Sequence, residues 1–161
     1  MEAGVAAIMT GHLLVPSLDE QSPATLSRRI VTDVLRGDLG FDGLVFTDDL
    51  DMKAISARTT NERAAVAAIR AGCDVALLCG VDVAAHASSI EALIRAVEEE
   101  DIPWARMEDA LSHQRRAKER FASMSGTTLD RRWRPRPEAG LRALIGCEAH
   151  QAVAAEMRRF A

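Results

Sequence analysis

The segment Gly43–Met52, GLVFTDDLDM, holds the side chains best suited to chemistry. A short apolar run is followed at once by three carboxylates, those of Asp48, Asp49 and Asp51. A carboxylate at the end of a hydrophobic strand costs desolvation free energy unless something uses or satisfies it. In a cleft, such a group could attack an anomeric carbon or act together with a second carboxylate. The pattern alone slightly favours the alternative, in which one Asp caps the next helix and the other is solvated.

His12, in MTGHLLVP, follows an earlier apolar run in the same way. Its neutral imidazole could bind a sugar hydroxyl, although a lone His at this position is more often a structural hydrogen-bonding residue. His12 and the three aspartates could also be imagined around a divalent cation. Their spacing matches no standard metal motif, so we predict no metal site. The remaining histidines fall on predicted helices or near the C-terminus and are predicted to lie at the surface: His86, His113 and His150.

Strands and helices alternate along the chain that carries these groups. The apolar runs 5–10, 43–47 and 75–79 predict three strands. Between them, one helix is capped by Ser27 and stopped by Gly37 and Gly40, and another runs from Thr60 or Asn61 to Gly72. Two longer helices follow, the first capped by Asp82 and the second beginning at Pro103. Their predicted inward positions are Ile90, Leu93, Ile94 and Val97, then Met107, Leu111 and Phe121.

Nearly continuous apolar strands separated by helices are typical of a parallel α/β sheet that is covered on both faces. Three strands and two crossovers fit either a doubly wound sheet or a segment of a (β/α)8 barrel. No GxGxxG or GxxxxGK[ST] loop is present, which weakens a nucleotide-binding version. A complete barrel needs about 250 residues. Three strands alone leave two open edges, so we expect this chain by itself to be marginally stable, oligomeric or aggregated.

Composition excludes several partners. The formal charge of −4 attracts no phosphate backbone, and the aromatic content of 4% provides no stacking platform for single-stranded nucleic acid or sugars. No stretch is long enough to cross a membrane, and the start has no basic signal-peptide region. Cys73 and Cys79 lie in an apolar stretch and are predicted to be small core residues. The odd cysteine count suggests a reducing, cytoplasmic compartment.

A composition change near residue 125 predicts the domain organisation. Residues 1–124 form the α/β part, and residues 125–140 form a linker with a solvated run of arginines. Residues 141–161 form a C-terminal helical tail.

A long ordered series of landmarks resembles family 3 glycoside hydrolases. It comprises AAIMTGHLLVPSLDEQSPATLSRRIVTDVLRGDLGFDGLVFTDDLDMKAI, then AIRAGCDVALLC, and a weaker likeness in GCEAHQAVAAEM. The most similar branch is the bacterial β-N-acetylhexosaminidases that act on cell-wall fragments. The resemblance implies that the chain is the last three β/α units of a (β/α)8 TIM-like barrel, apparently truncated at the N-terminus, with C-terminal helices.

The same resemblance assigns residue roles. Asp48 matches the family's nucleophile, which forms a glycosyl-enzyme that is hydrolysed with net retention. Asp49 is expected to support or orient, Met52 matches a position lining the sugar pocket, and His12 matches a histidine near the substrate. Gly11 replaces a more usual Ala. The expected ligand is a carbohydrate, an N-acetylglucosaminide, and no cofactor is expected.

The resemblance also implies what this chain lacks. The family's K-H-F-P-G-H-G-like sugar-binding segment and the His–Asp general acid/base would precede Met1. Loss of the acid typically costs about 10²–10⁴-fold in rate. Two alternatives therefore stay open beside the hexosaminidase: a non-catalytic fragment that needs the missing N-terminal half as a partner, and a β-glucosidase specificity. An unrelated small α/β binding domain is the least favoured alternative.

Overall fold

The computed structural model describes residues 4–122 and 146–159, and the chain divides into two compact units, Met1–Arg120 and Phe121–Ala161. In the first unit, β1 (Ala7–Met9), β2 (Leu44–Asp49) and β3 (Val75–Leu77) form a parallel sheet in the order β1-β2-β3. Ala7 pairs with Leu44, and Phe46 with Val75. The three predicted strands and their parallel arrangement are therefore confirmed.

Helical segments connect and follow the strands. Between β1 and β2 lie a 3₁₀ turn and a π-helix, at Ala24–Leu26 and Arg29–Asp38. Between β2 and β3 lie α1 (Lys53–Ser56) and α2 (Asn61–Ala71). After β3 come α3 (Val83–Glu98) and α4 (Trp104–Ala122). The second unit contains α5 (Glu148–Met157), whose side chains are exposed. None of the helices in the described ranges combines the length and apolar composition needed to span a bilayer.

Local chemistry explains the helix ends. The Thr60 hydroxyl accepts a hydrogen bond from the Arg63 N–H, and the Asp82 carboxylate accepts one from the Ala84 N–H. Gly72 ends α2 with φ of +116°, and a Cβ there would lie 2.7 Å from the Thr32 hydroxyl. Ser27 Oγ accepts from the Ile30 N–H at 3.2 Å, as its predicted capping role requires. The helix that follows differs from the predicted α-helix because its backbone hydrogen bonds span five residues, the π type. One example is the bond of 2.9 Å from the Leu39 N–H to Val34 O.

Within the first unit, helical segments pack on one face of the sheet. Ile8 and Val45 contact the buried cluster of Val31, Phe41 and Ala68. Because successive side chains alternate across a strand, Met9 and Phe46 point to the other face, where Met9 is 57% exposed. The prediction of helices on both faces is thus not met within the described residues.

The inward face of α3 is rotated from the predicted one. Ile90 and Ile94 were predicted to face inward but are 59% and 53% exposed. Ser89 and Ala96 are buried instead, and Leu93 and Val97 contact core clusters. Small residues on both α2 and α3 allow the two helices to pack closely, and this contact determines which face turns inward.

Three further predictions from the sequence have mixed outcomes. On α4, Met107 packs against the core, whereas Leu111 is 39% exposed, so its predicted inward position is wrong. The side chain of Phe121, the predicted linker 125–140 and its arginine run lie outside the described residues. The predicted C-terminal helix is present as α5.

Candidate active site

The carboxyl ends of the three strands bring the predicted site residues to one edge of the sheet. Asp48 and Asp49 are the last two residues of β2, and residues 48–52, where the strand passes into the following bend, form the segment called the turn. His12 follows β1, and its Nε2 lies 2.8 Å from the Asp49 carbonyl oxygen. Groups at this edge of a parallel sheet are well placed to meet a ligand.

A β-bulge lies directly beside Asp48. Phe46 pairs with Val75 and Asp49 with Leu77, so three steps along β2 match two steps along β3. The buried Thr47 hydroxyl accepts a hydrogen bond of 2.8 Å from the Leu77 N–H. The side chain thus replaces a main-chain acceptor where the ladder is interrupted. Bulges of this kind are frequent beside active sites, where they re-aim a side chain.

The carboxylates of Asp49 and Asp51 bind the neighbouring loop. Asp49 Oδ1 accepts from the N–H groups of Asp51 at 3.1 Å and Cys79 at 3.0 Å. Asp51 Oδ2 accepts from the Gly80 N–H at 2.8 Å, and Asp51 Oδ1 accepts from the Asn61 amide. The Gly80 and Asn61 hydrogen bonds lower the pKa of Asp51. Both carboxylates therefore serve as hydrogen-bond acceptors that fix the turn.

Asp48 differs from its two neighbours. Its side chain is partly buried, and its Oδ1 accepts a hydrogen bond of 2.8 Å from the Asp49 N–H. Within residues 4–122 and 146–159, this is the one hydrogen bond that the Asp48 carboxylate receives. Asp48 lies between Phe46 and Asp49, where the bulge interrupts the regular pairing of β2 with β3. Asp48 thus receives fewer hydrogen bonds than Asp49 or Asp51, and its Oδ2 receives none within the described residues.

Both ring nitrogens of His12 are engaged by the protein. A carbonyl oxygen only accepts, so Nε2 must carry the proton that is donated to Asp49. Nδ1 lies 2.9 Å from the Thr25 hydroxyl, which also receives the Thr10 hydroxyl at 2.9 Å. These contacts support the structural alternative for His12, which ties the end of β1 to the end of β2. Thr25 is fully buried, and nothing in its local sequence pattern marked it as part of this network.

Met52 and Cys79 flank the turn. The Met52 side chain is 44% exposed, and its N–H donates to the Asp49 carbonyl at 3.1 Å. Cys79 is exposed, which makes its predicted core position wrong, because β3 ends at Leu77 and the chain there turns toward the aspartates. Partial desolvation, together with the negative charges of Asp49, Asp51 and Asp48, raises the pKa of the Cys79 thiol.

A buried ion-pair network lies at the amino ends of β2 and β3. The Asp74 side chain is fully buried, and its two oxygens lie 2.7 Å from Arg36 and from Arg106. Asp74 Oδ2 also accepts from the Val45 N–H at 2.9 Å. His113 is 4% exposed, with Nδ1 3.0 Å from Asp74, so its predicted surface position is wrong. The signal that was missed is a charged residue placed directly before an apolar strand.

Asp74, Asp109 and His113 offer ligand atoms within 4.8 Å of one another, which is the spacing of a metal site. Both oxygens of Asp74 are already paired with guanidinium groups, and Arg106 also pairs with Asp109. Two fixed positive charges beside the same carboxylate oppose a cation there. We therefore interpret the group as part of the ion-pair network.

Comparison with known proteins places this geometry in a family. The sequence model of the glycosyl hydrolase family 3 N terminal domain matches residues 1–117. A β-hexosaminidase of Chromobacterium violaceum is 46% identical over 78 residues, covering 48% of this chain and 22% of that protein. One from Alkalilimnicola ehrlichii is 39% identical over 94 residues, covering 58% of this chain and 25% of that protein.

Solved structures agree. The family 3 β-N-acetylglucosaminidase of Paenibacillus sp. str. FPU-7 superposes with a TM-score of 0.73 at 38% identity, covering 75% of this chain and 23% of that one. The β-N-acetylhexosaminidase of Beutenbergia cavernae gives 0.66 at 35% identity, covering 73% and 35%. This chain thus spans about a quarter of the length of the curated relatives it matches. The family match and these similarities show that the chain belongs to glycosyl hydrolase family 3.

Proposed function

We propose that this chain carries the nucleophile of a retaining β-N-acetylhexosaminidase that releases terminal N-acetylglucosamine, in the recycling of cell-wall fragments. Asp48 is the proposed nucleophile. A carboxylate oxygen of Asp48 attacks the anomeric carbon, and the bond from that carbon to the leaving oxygen breaks. Water then displaces Asp48 from the same carbon, so two inversions give net retention.

The arrangement of the turn supports this proposal more than any other observation. Of its three carboxylates, those of Asp49 and Asp51 each hold two donors from neighbouring groups, whereas Asp48 holds one, from the next residue in the chain. Asp48 also lies within the bulge between Phe46 and Asp49, a kind of irregularity that is frequent beside active sites. A nucleophilic carboxylate needs to be held in place while one of its oxygens stays free to attack. Asp48 Oδ1 is held by the Asp49 N–H, and its Oδ2 accepts no hydrogen bond within the described residues.

Other groups have supporting roles in this proposal. Asp49 orients the turn through its carboxylate and carbonyl, and His12 holds Asp49 from the side of β1. Met52 and His12 are proposed to lie beside the sugar, in keeping with the family resemblance. The proton for the leaving group comes from outside this chain, from the general acid that the resemblance places ahead of it. The reaction needs neither a cofactor nor a metal, and the proposed compartment is the cytoplasm.

Covalent trapping tests the role of Asp48. The reagent is a fluorinated N-acetylglucosaminide that carries a dinitrophenyl leaving group. Dinitrophenolate departs without protonation, so the reaction does not depend on the general acid. The fluorine slows hydrolysis of the glycosyl-enzyme intermediate. The reagent is added to the 161-residue chain and to the protein of the longest open reading frame that contains it. We expect intact mass to rise by one sugar residue and peptide mapping to place it on Asp48.

Two substitutions provide the control. Asp48→Asn removes the nucleophile and should abolish labelling, whereas Asp49→Asn keeps an acceptor oxygen for the Cys79 N–H and should retain it. A label on any other residue would rule out the role of Asp48. Labelling of the longer protein but not of the 161-residue chain would favour the non-catalytic fragment, to be rescued by adding the missing half.

The substrate class is tested separately. Aryl glycosides that differ only in a 2-acetamido or a 2-hydroxy group are compared by kcat/KM in the longer protein. We expect preference for the 2-acetamido sugar. A preference for the 2-hydroxy sugar would favour the β-glucosidase alternative.

A further inference from the structure

Two loops at the carboxyl edge of the sheet are joined by side chain to backbone bonds. In each of these bonds, a carboxylate of the turn accepts from a backbone N–H of the loop after β3. Asp49 accepts from the Cys79 N–H at 3.0 Å, and Asp51 accepts from the Gly80 N–H at 2.8 Å. Asn61, the first residue of α2, donates to the second oxygen of Asp51. The turn is thereby attached to β3 and to α2 at once.

Gly80 shows how closely the two loops approach. A Cβ placed on Gly80 would lie 2.8 Å from Asp51 Oδ2 and 3.4 Å from its Cγ. A side chain at Gly80 would therefore force the Asp51 carboxylate away from its donor. The position needs glycine because of this approach, since its φ lies outside the left-handed region.

We propose that Asp51, with Gly80 and Asn61, is a clamp that positions the nucleophile. Asp51 touches no reacting atom in this proposal, so it is a positioning residue. It lies three positions after Asp48 and holds the turn against the neighbouring strand, which fixes the direction of the Asp48 carboxylate. A misplacement of about 1 Å can cost about 100-fold in rate, so a loose turn should act on catalysis more than on binding. This inference rests on the proposed function of Asp48.

The electrostatics of the clamp agree with its geometry. The Gly80 N–H and the Asn61 amide lower the pKa of Asp51, and the charge of His86 acts in the same direction. Asp51 thus stays an anion at neutral pH, which strengthens both hydrogen bonds.

A double-mutant cycle in the longer protein tests the clamp. Asp51→Ala removes the acceptor, and Gly80→Ala separates the same two groups while leaving the carboxylate in place. We expect each to lower kcat by about 10- to 100-fold with little change in KM. Because both changes break one interaction, the double variant should be no slower than the worse single variant. Multiplicative losses, or a folded single variant with wild-type kcat, would overturn the clamp.

Conservative and neighbouring variants separate positioning from folding. Asp51→Asn keeps one oxygen for Gly80, and the Asn61 amide can turn to accept from the new NH₂ group, so most of the wild-type kcat should return. Asp82→Ala is the matched control, because Asp82 accepts from the Ala84 N–H nearby without touching the turn. It should leave kcat unchanged. A loss of kcat in Asp82→Ala equal to that in Asp51→Ala would show a general loop defect and overturn the clamp.

Amide exchange gives a readout that needs no substrate. The Gly80 N–H should exchange faster in Asp51→Ala than in the wild-type protein, as measured by NMR. If the wild-type protein hydrolyses no glycoside, the function proposed for Asp48 fails, and the attachment of the loops is still judged by this exchange. Unchanged exchange at Gly80 would overturn the clamp whatever the activity.

Discussion

At the scale of single residues, the donors around each carboxylate decide what it can do. Asp48, Asp49 and Asp51 are chemically the same group in one short turn. Asp49 and Asp51 each accept two hydrogen bonds, of which at least one comes from a distant part of the chain, whereas Asp48 accepts one from its neighbour. A carboxylate whose oxygens accept hydrogen bonds from other segments is held in place, whereas one with fewer donors keeps an oxygen free to react. The same residue type therefore supplies both the proposed nucleophile and the groups that hold the turn.

The thiol of Cys79 is sensitive to the carboxylates of the turn. Partial desolvation and the carboxylates of Asp49, Asp51 and Asp48 raise the pKa of Cys79, so less thiolate is present at a given pH. We expect iodoacetamide to alkylate Cys79 more slowly than glutathione between neutral and mildly alkaline pH, with the difference shrinking as pH rises. Asp49→Asn should speed the reaction. Peptide mass spectrometry measures the rates, and a Cys79 rate above that of glutathione would contradict the prediction.

Cys73 provides an internal reference in the same experiment. Burial raises the pKa of Cys73 to about 12, and the residue is fully inaccessible. Its alkylation should be negligible until the chain is unfolded with denaturant.

The free energy of unfolding should depend strongly on Asp74. Asp74→Ala leaves Arg36 and Arg106 without their buried counter-charge, which typically costs about 3–5 kcal/mol. Urea unfolding followed by circular dichroism measures the loss. Asp33→Ala is the matched control, because Asp33 is 47% exposed and pairs only at the surface, with Arg29, among the described residues. Exposed pairs contribute little, so equal losses for the two variants would refute the prediction.

At the scale of elements, the end of β2 shows how a side chain can complete a backbone ladder. The bulge between Phe46 and Asp49 leaves the Leu77 N–H facing the Thr47 hydroxyl instead of a carbonyl. The Thr47 hydroxyl therefore lets β2 hold one extra residue without leaving the Leu77 N–H unsatisfied. Position 47 thus requires a side-chain hydroxyl in order to complete the hydrogen bonding of the sheet.

A pair of substitutions at Thr47 tests this requirement. Thr47→Val keeps the shape but leaves the Leu77 N–H unsatisfied, and we expect it to lower the free energy of unfolding by about 1–3 kcal/mol. Thr47→Ser keeps the acceptor and should lose clearly less. Denaturant unfolding of both variants measures the difference. The prediction fails if Ser costs as much as Val.

The elements that could be predicted from the sequence are those set by neighbouring residues. Thr60, Gly72 and Asp82 act within a few residues of themselves, and the structure has each at the predicted helix end. The apolar runs gave three strands for the same reason. The π-helix, the bulge at Thr47 and the outward position of Ile90 depend on packing between distant segments, which no local pattern contains.

The candidate site divides in the same way. Asp48 and Asp49 were found because they follow a strand, and the family resemblance separated their roles. The clamp through Gly80 and the network of His12 with Thr25 each join residues that are far apart in the sequence. The burial of His113 was missed for the same reason, because its partner Asp74 is 39 residues away.

At the scale of the whole molecule, the sheet offers surfaces for pairing. In the described residues, β1 and β3 form the two outer edges, and one face carries exposed groups such as Met9. Unpaired strand edges and apolar faces promote association between chains. The expectation of an oligomeric or aggregated chain therefore remains a prediction that has structural support.

Sedimentation and thermal melting test it on the purified 161-residue chain. We expect the weight-average mass to rise with concentration and the melting temperature to depend on concentration. A sharp, reversible melt of a monomer that is independent of concentration would contradict the prediction. Met9→Lys, which places a charge on the exposed face, should reduce association, while Lys53→Arg in α1 should leave it unchanged.

The ion-pair network around Asp74 and the turn at Asp48 lie at opposite ends of the same pair of strands. One end holds the strands through buried ion pairs, and the other bears the proposed nucleophile. An engineer could therefore exchange the segments 49–52 and 79–82 together, as a matched cassette, while the anchored end preserves strand register. Exchanging either segment alone would break the hydrogen bonds between the carboxylates of the first segment and the backbone N–H groups of the second.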